Sequence, residues 1–410
     1  MLLAENNNQA TAWGMATVLF TCAVALVLFI FQPFLAVLLV AMLGMLSAPD
    51  RFWAPLLLCL LGSAFIGLIN TTKLPESDLI RYFEWYDRAQ TMGLLQYLSS
   101  FTREPVFYIW NWFVSRLSGG DQQVFVFLTT ALIYWLLTYS IVLVGRYLRV
   151  DSRLTLVIVL LFLFLPPLFS ISGHLVRQVM AAAFIALFFA RRIALGKASW
   201  WLALLAGFVH FSALIFIPLA LLRMPQRCSP IIYFVCSAVA LGAFYLVVKV
   251  SAELLSQFPV FNVLFLRIAA LRIPDVVGLS TNAILVLGLV LAVIAVNIWS
   301  RNPPEAAGRQ GFYLDNFSNS VLLLSVVILL SSLSTYTLEV AMRLFLYLYF
   351  LAGPVLLIFL RKNAWTMPIV MFLTVCNLGF FFYTVEFGVW DFMPVWQLSI
   401  YPAPLIWGGI

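Results

Sequence analysis

Residues 121–145 read DQQVFVFLTTALIYWLLTYSIVLVG, and Arg146 follows directly. From Val124 onward this run carries no charge, and its apolar residues are continuous rather than alternating. A run of about 17–25 such residues can span a bilayer as an α-helix, whereas a membrane β-strand alternates apolar and polar residues. The stretch therefore predicts a transmembrane helix that ends at a basic loop.

The rest of the chain repeats this pattern. Hydrophobic residues make up 64% of the 410 and charged residues only 10%, with a mean hydropathy of +1.05. A soluble domain is about half apolar and about a quarter charged. Further candidate spans are 12–31, 34–49, 53–70, 154–170, 176–190, 230–250, 281–299, 318–336, 340–360 and 365–384. We expect an all-α polytopic membrane protein of about 11–13 transmembrane helices, with residues 1–410 forming a single integral-membrane domain.

The basic residues lie in short clusters between the apolar runs, which encodes membrane topology and does not indicate a nucleic-acid partner. If all clusters are cytoplasmic, the N-terminus is inside and the C-terminus is outside. The external side then receives segment 71–120, with interfacial amphipathic helices, and the loop 251–280. The clusters are Arg146, Arg149 and Arg153; Arg191, Arg192 and Lys197; Arg223 and Arg227; Arg301 and Arg309; and Arg361 and Lys362.

The apolar segment 199–222 does not fit this topology as a simple span. With basic clusters on both of its flanks, the segment would have to enter and leave the membrane on the same side. Non-helical backbone inside a membrane is tolerated where it lines a cavity, and 207–210 (GFVH) offers a break point. Two interpretations stay open: a re-entrant hairpin, or a plain span in which Arg223 and Arg227 violate the rule.

A short polar face begins the predicted span 176–190. His174, Arg177 and Gln178 fall on one side of the helix at its outer end. An ionisable residue within a span costs at least about 2.5–3.5 kcal/mol at the bilayer centre and is therefore a candidate for function. The forked guanidinium of Arg177 suits phosphate oxygens, although an arginine that snorkels to the interface is the alternative.

Other arginines lie at the predicted outer surface. Arg343 follows Glu339 by four residues, which is compatible with an internal ion pair or with a phosphate contact. Arg267 and Arg272 lie in the external loop 251–280 and could clamp phosphate or contact lipid headgroups. These residues extend the candidate binding site for phosphate groups.

Three residues are candidates for a general base. Asp78 and Glu104 are carboxylates of the external segment, and His210 lies in an apolar run beside Ser212. Glycosyl transfer needs a group that accepts a proton from the attacking sugar hydroxyl. His210 could instead be a structural residue of the core.

Segment 76–90 predicts an interfacial amphipathic helix with Asp78, Arg81, Tyr82 and Trp85 on one face. Aromatic rings at such a position stack on sugars or belong to the interfacial belt. The aromatic candidates for sugar binding are Tyr82, Trp85, Tyr108 and Trp110.

Several motifs are missing from the sequence. It contains no Gly-rich phosphate loop, no HExxH, no GxSxG and no DxD pair, and its five cysteines are scattered without a CxxC. We therefore expect no metal, no cofactor and no cytoplasmic nucleotide sugar.

The order of these residues resembles the EpsG-like branch of the Wzy polysaccharide polymerases, over roughly residues 70–360. Val106 is a small departure, because glycine is common before the phenylalanine in that family. The matching elements are Asp78…Arg81-Tyr82, Arg103-Glu104-Pro105-Val106-Phe107, Arg177-Gln178 before small residues, His210-x-Ser212-Ala213-Leu214-Ile215, and Arg343-Leu344-Phe345-x-Tyr347.

The resemblance implies a GT-C-like membrane glycosyltransferase that makes exopolysaccharide or O-antigen. Such an enzyme joins undecaprenyl-diphosphate-linked oligosaccharides at the periplasmic face, with membrane lipid around it. The positions that carry over are Glu104, Arg177, Gln178, His210 and Arg343. The alternatives are a flippase or transporter of lipid-linked sugars, or a related lipid-dependent glycosyltransferase or ligase. The sequence leaves open the sugar, the linkage and whether a chain-length regulator binds.

Overall fold

The computed structural model describes residues 2–48, 51–76, 78–101, 103–221, 239, 309–332, 338–360, 366–388 and 391–407. Within these ranges the regular structure is entirely helical, which confirms the all-α fold. The helices are α1 (Leu2–Phe31), α2 (Pro33–Leu46), α3 (Trp53–Thr71), α4 (Asp78–Thr91), α5 (Leu94–Ser99), α6 (Pro105–Ser118), α7 (Gln122–Tyr147), α8 (Ser152–Leu163), α9 (Pro166–Ser172), α10 (Val176–Leu195), α11 (Trp200–Val209), a 3₁₀ turn (Phe211–Ile215), α12 (Phe216–Leu221), α13 (Arg309–Ser332), α14 (Leu338–Leu360), α15 (Thr366–Phe387), α16 (Val395–Ile400) and α17 (Ala403–Ile406).

Five of the described helices are long and apolar enough to cross a membrane, so the chain is a multi-pass membrane protein. They are α3, α7, α10, the part of α14 from Arg343 to Leu360, and α15, which match the predicted spans 53–70, 121–145, 176–190, 340–360 and 365–384. The apolar parts of α1 and α2 are shorter than the roughly 20 residues of a full span. Predicted spans 230–250 and 281–299 lie outside the described residues, and the total of 11–13 stays a prediction.

The predicted span 154–170 is not one straight helix. It consists of α8 and α9, which meet at a bend of 50°. Leu165 is extended and Pro166 begins α9. Proline disfavours the helical conformation of the residue before it, so the chain has to break there. The break turns α9 toward the start of α10.

The amphipathic helix α4 is present, but the residues that share its buried face differ from the set predicted to lie on one face. Leu79, Tyr82 and Tyr86 are buried together, while Arg81 is exposed. The reason is that α4 packs along α6, which supplies an apolar partner that the sequence pattern of a lone interfacial helix does not include. The hydroxyl of Ser115 on α6 donates to the carbonyl of Tyr86 at 3.3 Å.

The segment from Trp200 to Leu221 forms a hairpin beside α10. At its start, Trp200 packs on Arg192 near the C-terminal end of α10, and at its close the carbonyl of Ala220 accepts hydrogen bonds from the same arginine. Its midpoint, His210, lies instead beside Glu104, which pairs with Arg177 at the N-terminal end of α10. Both ends of the segment therefore meet one end of α10, as the re-entrant interpretation predicts.

Glycine permits the turn of this hairpin. α11 ends at Val209, His210 is extended, and the chain then continues as a 3₁₀ turn. A β-carbon at Gly207 would collide with the side chain of Leu214. In a straight α-helix these residues would be about 10.5 Å apart along the axis, so this contact reflects the turn. The helix break predicted at 207–210 is confirmed.

Candidate active site

Glu104 occupies a constrained position at the start of α6. Its backbone is left-handed, with φ 61° and ψ 47°, and Pro105 follows as the first helical residue. A non-glycine residue adopts this conformation only where its surroundings hold it there. The side chain of Glu104 is 10% exposed and contacts both Arg177 and His210.

Arg177 is the second residue of α10 and forms an ion pair with Glu104 through Nη1 and Oε2. Its guanidinium carbon lies 5.2 Å from the ring centre of Trp85, 5.8 Å from that of Tyr82 and 6.0 Å from that of Phe107. Aromatic faces attract a cation at such distances. The side chain of Arg177 nevertheless stays 27% exposed, so an incoming anion can reach it.

The aromatic wall behind Arg177 is closely packed. Tyr108 stacks on Phe101 with ring centres 3.5 Å apart, and Trp85 meets Tyr108 edge to face at 5.5 Å. Burial raises the pKa of Tyr108 to about 12 and also raises the pKa of Tyr82, with Arg177 opposing the shift in both. Both phenols are therefore neutral at physiological pH, and the site's positive charge is not cancelled by phenolate.

His210 reaches the site from the apex of the hairpin. Its Nδ1 accepts the backbone N–H of Ser212 at 3.2 Å, and the hydroxyl of Ser212 lies 2.9 Å from the same nitrogen. Ser212 Oγ is in turn 2.8 Å from the hydroxyl of Tyr347 on α14. The carboxylate Oε1 of Glu104 is 3.7 Å from Nδ1. Three distant parts of the chain, α6, the hairpin and α14, thus meet at one point.

Gln178 connects α10 to the helix that carries Arg343. The buried amide of Gln178 donates from Nε2 to the carbonyl of Arg343 at 2.7 Å. The side chain of Arg343 is exposed, and Arg343 acts electrostatically on His210 together with Glu104 and Arg177. The two predicted phosphate ligands on α10 and α14 are therefore on the same side of the bundle.

Asp78 and His174 lie at the edge of this site. Asp78 forms a long, exposed ion pair with Arg81 at 3.8 Å. His174 Nδ1 donates to the carbonyl of Ser170 at 2.8 Å, and burial lowers the pKa of its imidazole. The structure thus brings Glu104 and His210 together with Arg177 and leaves Asp78 on the surface of α4.

The remaining predicted site residues divide into two groups. The indole of Trp110 donates to Thr129 on α7 at 2.8 Å, so its polar edge is already bound within the protein. Arg267, Arg272 and the side chain of Glu339 lie outside the described residues. Their roles stay predictions.

Sequence reasoning missed Lys73, which follows α3. Its side chain is 5% exposed and donates from Nζ to the carbonyl of Gly173 at 3.2 Å, in the turn before α10. A β-carbon at Gly173 would lie 3.1 Å from that Nζ, so glycine allows the approach. Burial lowers the pKa of Lys73 to about 8. The signal in the sequence was a lysine directly after an apolar span.

The chemistry available here is that of cation and carboxylate. Among the described residues, no three of His, Cys, Asp or Glu are grouped so that they could hold a metal ion. Arginines, a carboxylate and an imidazole are groups that can bind anions and accept or donate protons, which suits transfer from a phosphorylated donor to a hydroxyl. Fold and site together define a multi-pass membrane protein with a cluster of polar and charged side chains at one end of its helices.

The chain belongs to the EpsG family, whose family model matches residues 52–393. The match includes every residue of the site described above and confirms the resemblance seen in the sequence. Membership in this family indicates a polysaccharide polymerase role. No similar curated protein and no similar solved structure was found.

Proposed function

We propose that the protein joins undecaprenyl-diphosphate-linked oligosaccharide repeat units into a polysaccharide at the periplasmic face of the bacterial inner membrane. The observation that carries this proposal is the meeting of Glu104, Arg177 and His210 at the N-terminal end of α10. A cation whose carboxylate partner can be displaced by another anion suits transfer from a diphosphate to a hydroxyl. Membrane lipid and the lipid-linked oligosaccharide are the partners that this function implies.

The orientation rests on the opposite end of the same helices. Arg146 lies in the last turn of α7, and Arg153 at the start of α8 donates to the carbonyl of Ser47. α10 ends beside Arg191 and Arg192. Because short cytoplasmic loops are enriched in arginine and lysine, this end faces the cytoplasm and the Glu104 site faces the periplasm.

In the proposed reaction, Arg177 and Arg343 bind the diphosphate of the lipid that carries the growing chain. The hydroxyl of the next repeat unit attacks the anomeric carbon of that chain. The bond from this carbon to the diphosphate oxygen breaks, and its electron pair leaves with undecaprenyl diphosphate. Glu104 accepts the proton of the attacking hydroxyl. Stabilising the charge that develops on the diphosphate is the largest catalytic contribution of the arginines.

Glu104 suits the role of base better than His210 does. The backbone N–H of Ser212 points at Nδ1 of His210, so a neutral ring carries its proton on Nε2 and donates there. Glu104 has only acceptor oxygens when ionised. Diphosphate would compete with Glu104 for Arg177, so donor binding would release the carboxylate to act on the acceptor.

The test is polymerisation by the purified full-length protein in lipid nanodiscs, with an undecaprenyl-diphosphate-linked oligosaccharide as the substrate. We expect a ladder of products from the wild type and from Arg81→Ala, which changes an exposed arginine of α4. Arg177→Ala should give none. If the wild type makes no ladder in nanodiscs but moves the substrate across the bilayer of proteoliposomes, the result would instead support a flippase.

A further inference from the structure

The imidazole of His210 is held by a chain of hydrogen bonds that the proposed reaction does not yet use. A backbone amide can only donate, so the Ser212 N–H fixes Nδ1 as an acceptor. Ser212 Oγ also lies within hydrogen-bond distance of Nδ1, at 2.9 Å. If the serine proton points at Nδ1, the hydroxyl of Tyr347, 2.8 Å away, donates to Ser212 Oγ. The chain then runs in one direction, from Tyr347 through Ser212 to His210.

The charges around His210 act in opposite directions on its protonation. Glu104 Oε1 lies 3.7 Å from Nδ1 and favours a protonated, positively charged ring. Arg177 and Arg343 disfavour that charge. A protonated ring would turn its Nδ1–H toward Glu104 and would give up the hydrogen bonds from Ser212. The hydrogen bonds to Nδ1 therefore oppose protonation of His210 and the ion pair that a charged ring would form with Glu104.

We propose that Ser212 and Tyr347 are positioning residues, which hold His210 as a neutral hydrogen-bond donor with its proton on Nε2. This inference rests on the proposed function and adds one step to it, in which the Nε2–H of His210 donates to an oxygen of the departing diphosphate. The two titratable groups then have different roles: Glu104 accepts a proton, and His210 donates a hydrogen bond. Tyr347 lies one helical turn after Arg343, so the same helix supplies a phosphate ligand and the anchor of the imidazole.

The first test needs no substrate. The chain has two histidines, so His174→Gln leaves His210 as the single histidine of a protein labelled with ¹⁵N-histidine. Nitrogen NMR in nanodiscs should show a neutral ring protonated on Nε2 near pH 7.5. In this background Ser212→Ala and Tyr347→Phe should each raise the pH at which the ring becomes charged. A proton on Nδ1, or an unchanged titration in both variants, would overturn the proposal.

The second test measures the reaction. Ser212→Ala and Tyr347→Phe should each lower kcat about tenfold with little change in KM, as partners that orient a reactive imidazole do. The acidic limb of the pH–rate profile should move to higher pH, and Ser212→Thr should restore it because threonine keeps the hydroxyl. A lower rate with an unmoved profile would mean that these residues are merely structural.

Two matched variants control for the loss of a hydroxyl in the bundle. Tyr349 is two residues from Tyr347 on the same helix and is also buried, and Ser325 donates only to a carbonyl of its own helix among the bonds described. Tyr349→Phe and Ser325→Ala should change neither the histidine titration nor the pH–rate profile. Failure of all variants and of the wild type to polymerise would refute the proposed function, while the NMR result would still decide the state of His210.

Discussion

The two ends of α10 each hold an arginine among aromatic rings, but they satisfy its guanidinium differently. Arg177 pairs with the carboxylate of Glu104 and keeps 27% of its side chain exposed. Arg192 donates to the carbonyl of Ala220 at 3.3 Å from both Nη atoms and is 4% exposed. The ring centre of Tyr313 lies 4.4 Å from its guanidinium carbon.

Under the proposed function, this difference separates a site of reaction at Arg177 from a structural contact at Arg192. A carboxylate in a partly open ion pair can be replaced by another anion, and the protein then gains a free base. A buried backbone carbonyl is not displaced from its arginine by another anion in this way, because leaving the carbonyl unpaired costs about 1–3 kcal/mol. Arg192 fixes the base of the hairpin, and the hairpin carries His210 to Arg177. The Arg192 end of α10, which is buried and is called the closed end, thereby helps to position His210 beside the partly exposed Arg177 end, called the open end.

The largest effect should come from the carboxylate that distinguishes the open end. Glu104→Gln should lower the rate of polymerisation by about 10²–10⁴-fold, because a general base is lost. The same variant should bind undecaprenyl diphosphate at least as tightly as the wild type, since Glu104 no longer competes for Arg177. Product ladders and equilibrium binding in nanodiscs measure the two quantities. Glu84→Gln, an exposed change on α4, is the control, and weaker binding by Glu104→Gln would contradict the exchange.

No other cationic side chain should replace Arg177. Arg177→Lys should lower kcat by about 10²–10³-fold, the typical loss when one donor to a developing charge is removed. Lysine keeps the charge but not the forked geometry or the flat face that the aromatic wall accepts. The control Arg81→Lys should be as active as the wild type. If Arg177→Lys is also fully active, a positive charge at position 177 is sufficient and the forked geometry is not needed.

At the closed end the same kind of change should affect stability first. Arg192→Met should lower the free energy of unfolding by about 1–3 kcal/mol, because the carbonyl of Ala220 loses its donors. Thermal unfolding in nanodiscs measures this loss. Activity should fall less than in Arg177→Lys. A protein of normal stability without activity would place Arg192 in the reaction and would break the comparison.

The last prediction concerns the buried lysine near the open end and affects only the pH dependence of stability. Burial lowers the pKa of Lys73 from 10.5 to about 8. Between these values the unfolded chain binds more protons than the folded protein, so stability rises with pH in this window. The slope is at most that of one proton, about 1.4 kcal/mol per pH unit. Lys73→Met should remove this rise, as unfolding curves from pH 7 to 11 would show; an identical pH dependence in the variant would refute it.

The sequence predicted the helices, and it offered the hairpin as one of two interpretations of 199–222, because both depend on local patterns. Apolar length set the spans, and the basic residues on both flanks of 199–222 favoured a return to the same side. The break near His210 followed from GFVH, where glycine interrupts an apolar helix. Arg177 and Gln178 stood out since charged and polar residues are rare within a span.

The sequence could not predict which distant side chains meet. Glu104 and Arg177 are 73 residues apart, and their contact depends on how α6 packs on the bundle. The buried face of α4 was predicted incorrectly for the same reason: it depends on packing against α6, which supplies an apolar partner for Tyr82. Arg192 was assigned to a cytoplasmic cluster by its charge alone, and its enclosure by rings of other helices has no local signature.

A structure of the wild-type protein with bound undecaprenyl diphosphate tests the central claim most directly. We predict that the diphosphate lies within hydrogen-bond distance of Arg177 and that the carboxylate of Glu104 has separated from that arginine. A diphosphate bound elsewhere, with the Arg177–Glu104 ion pair intact, would contradict the assignment of this end of α10 as the active site.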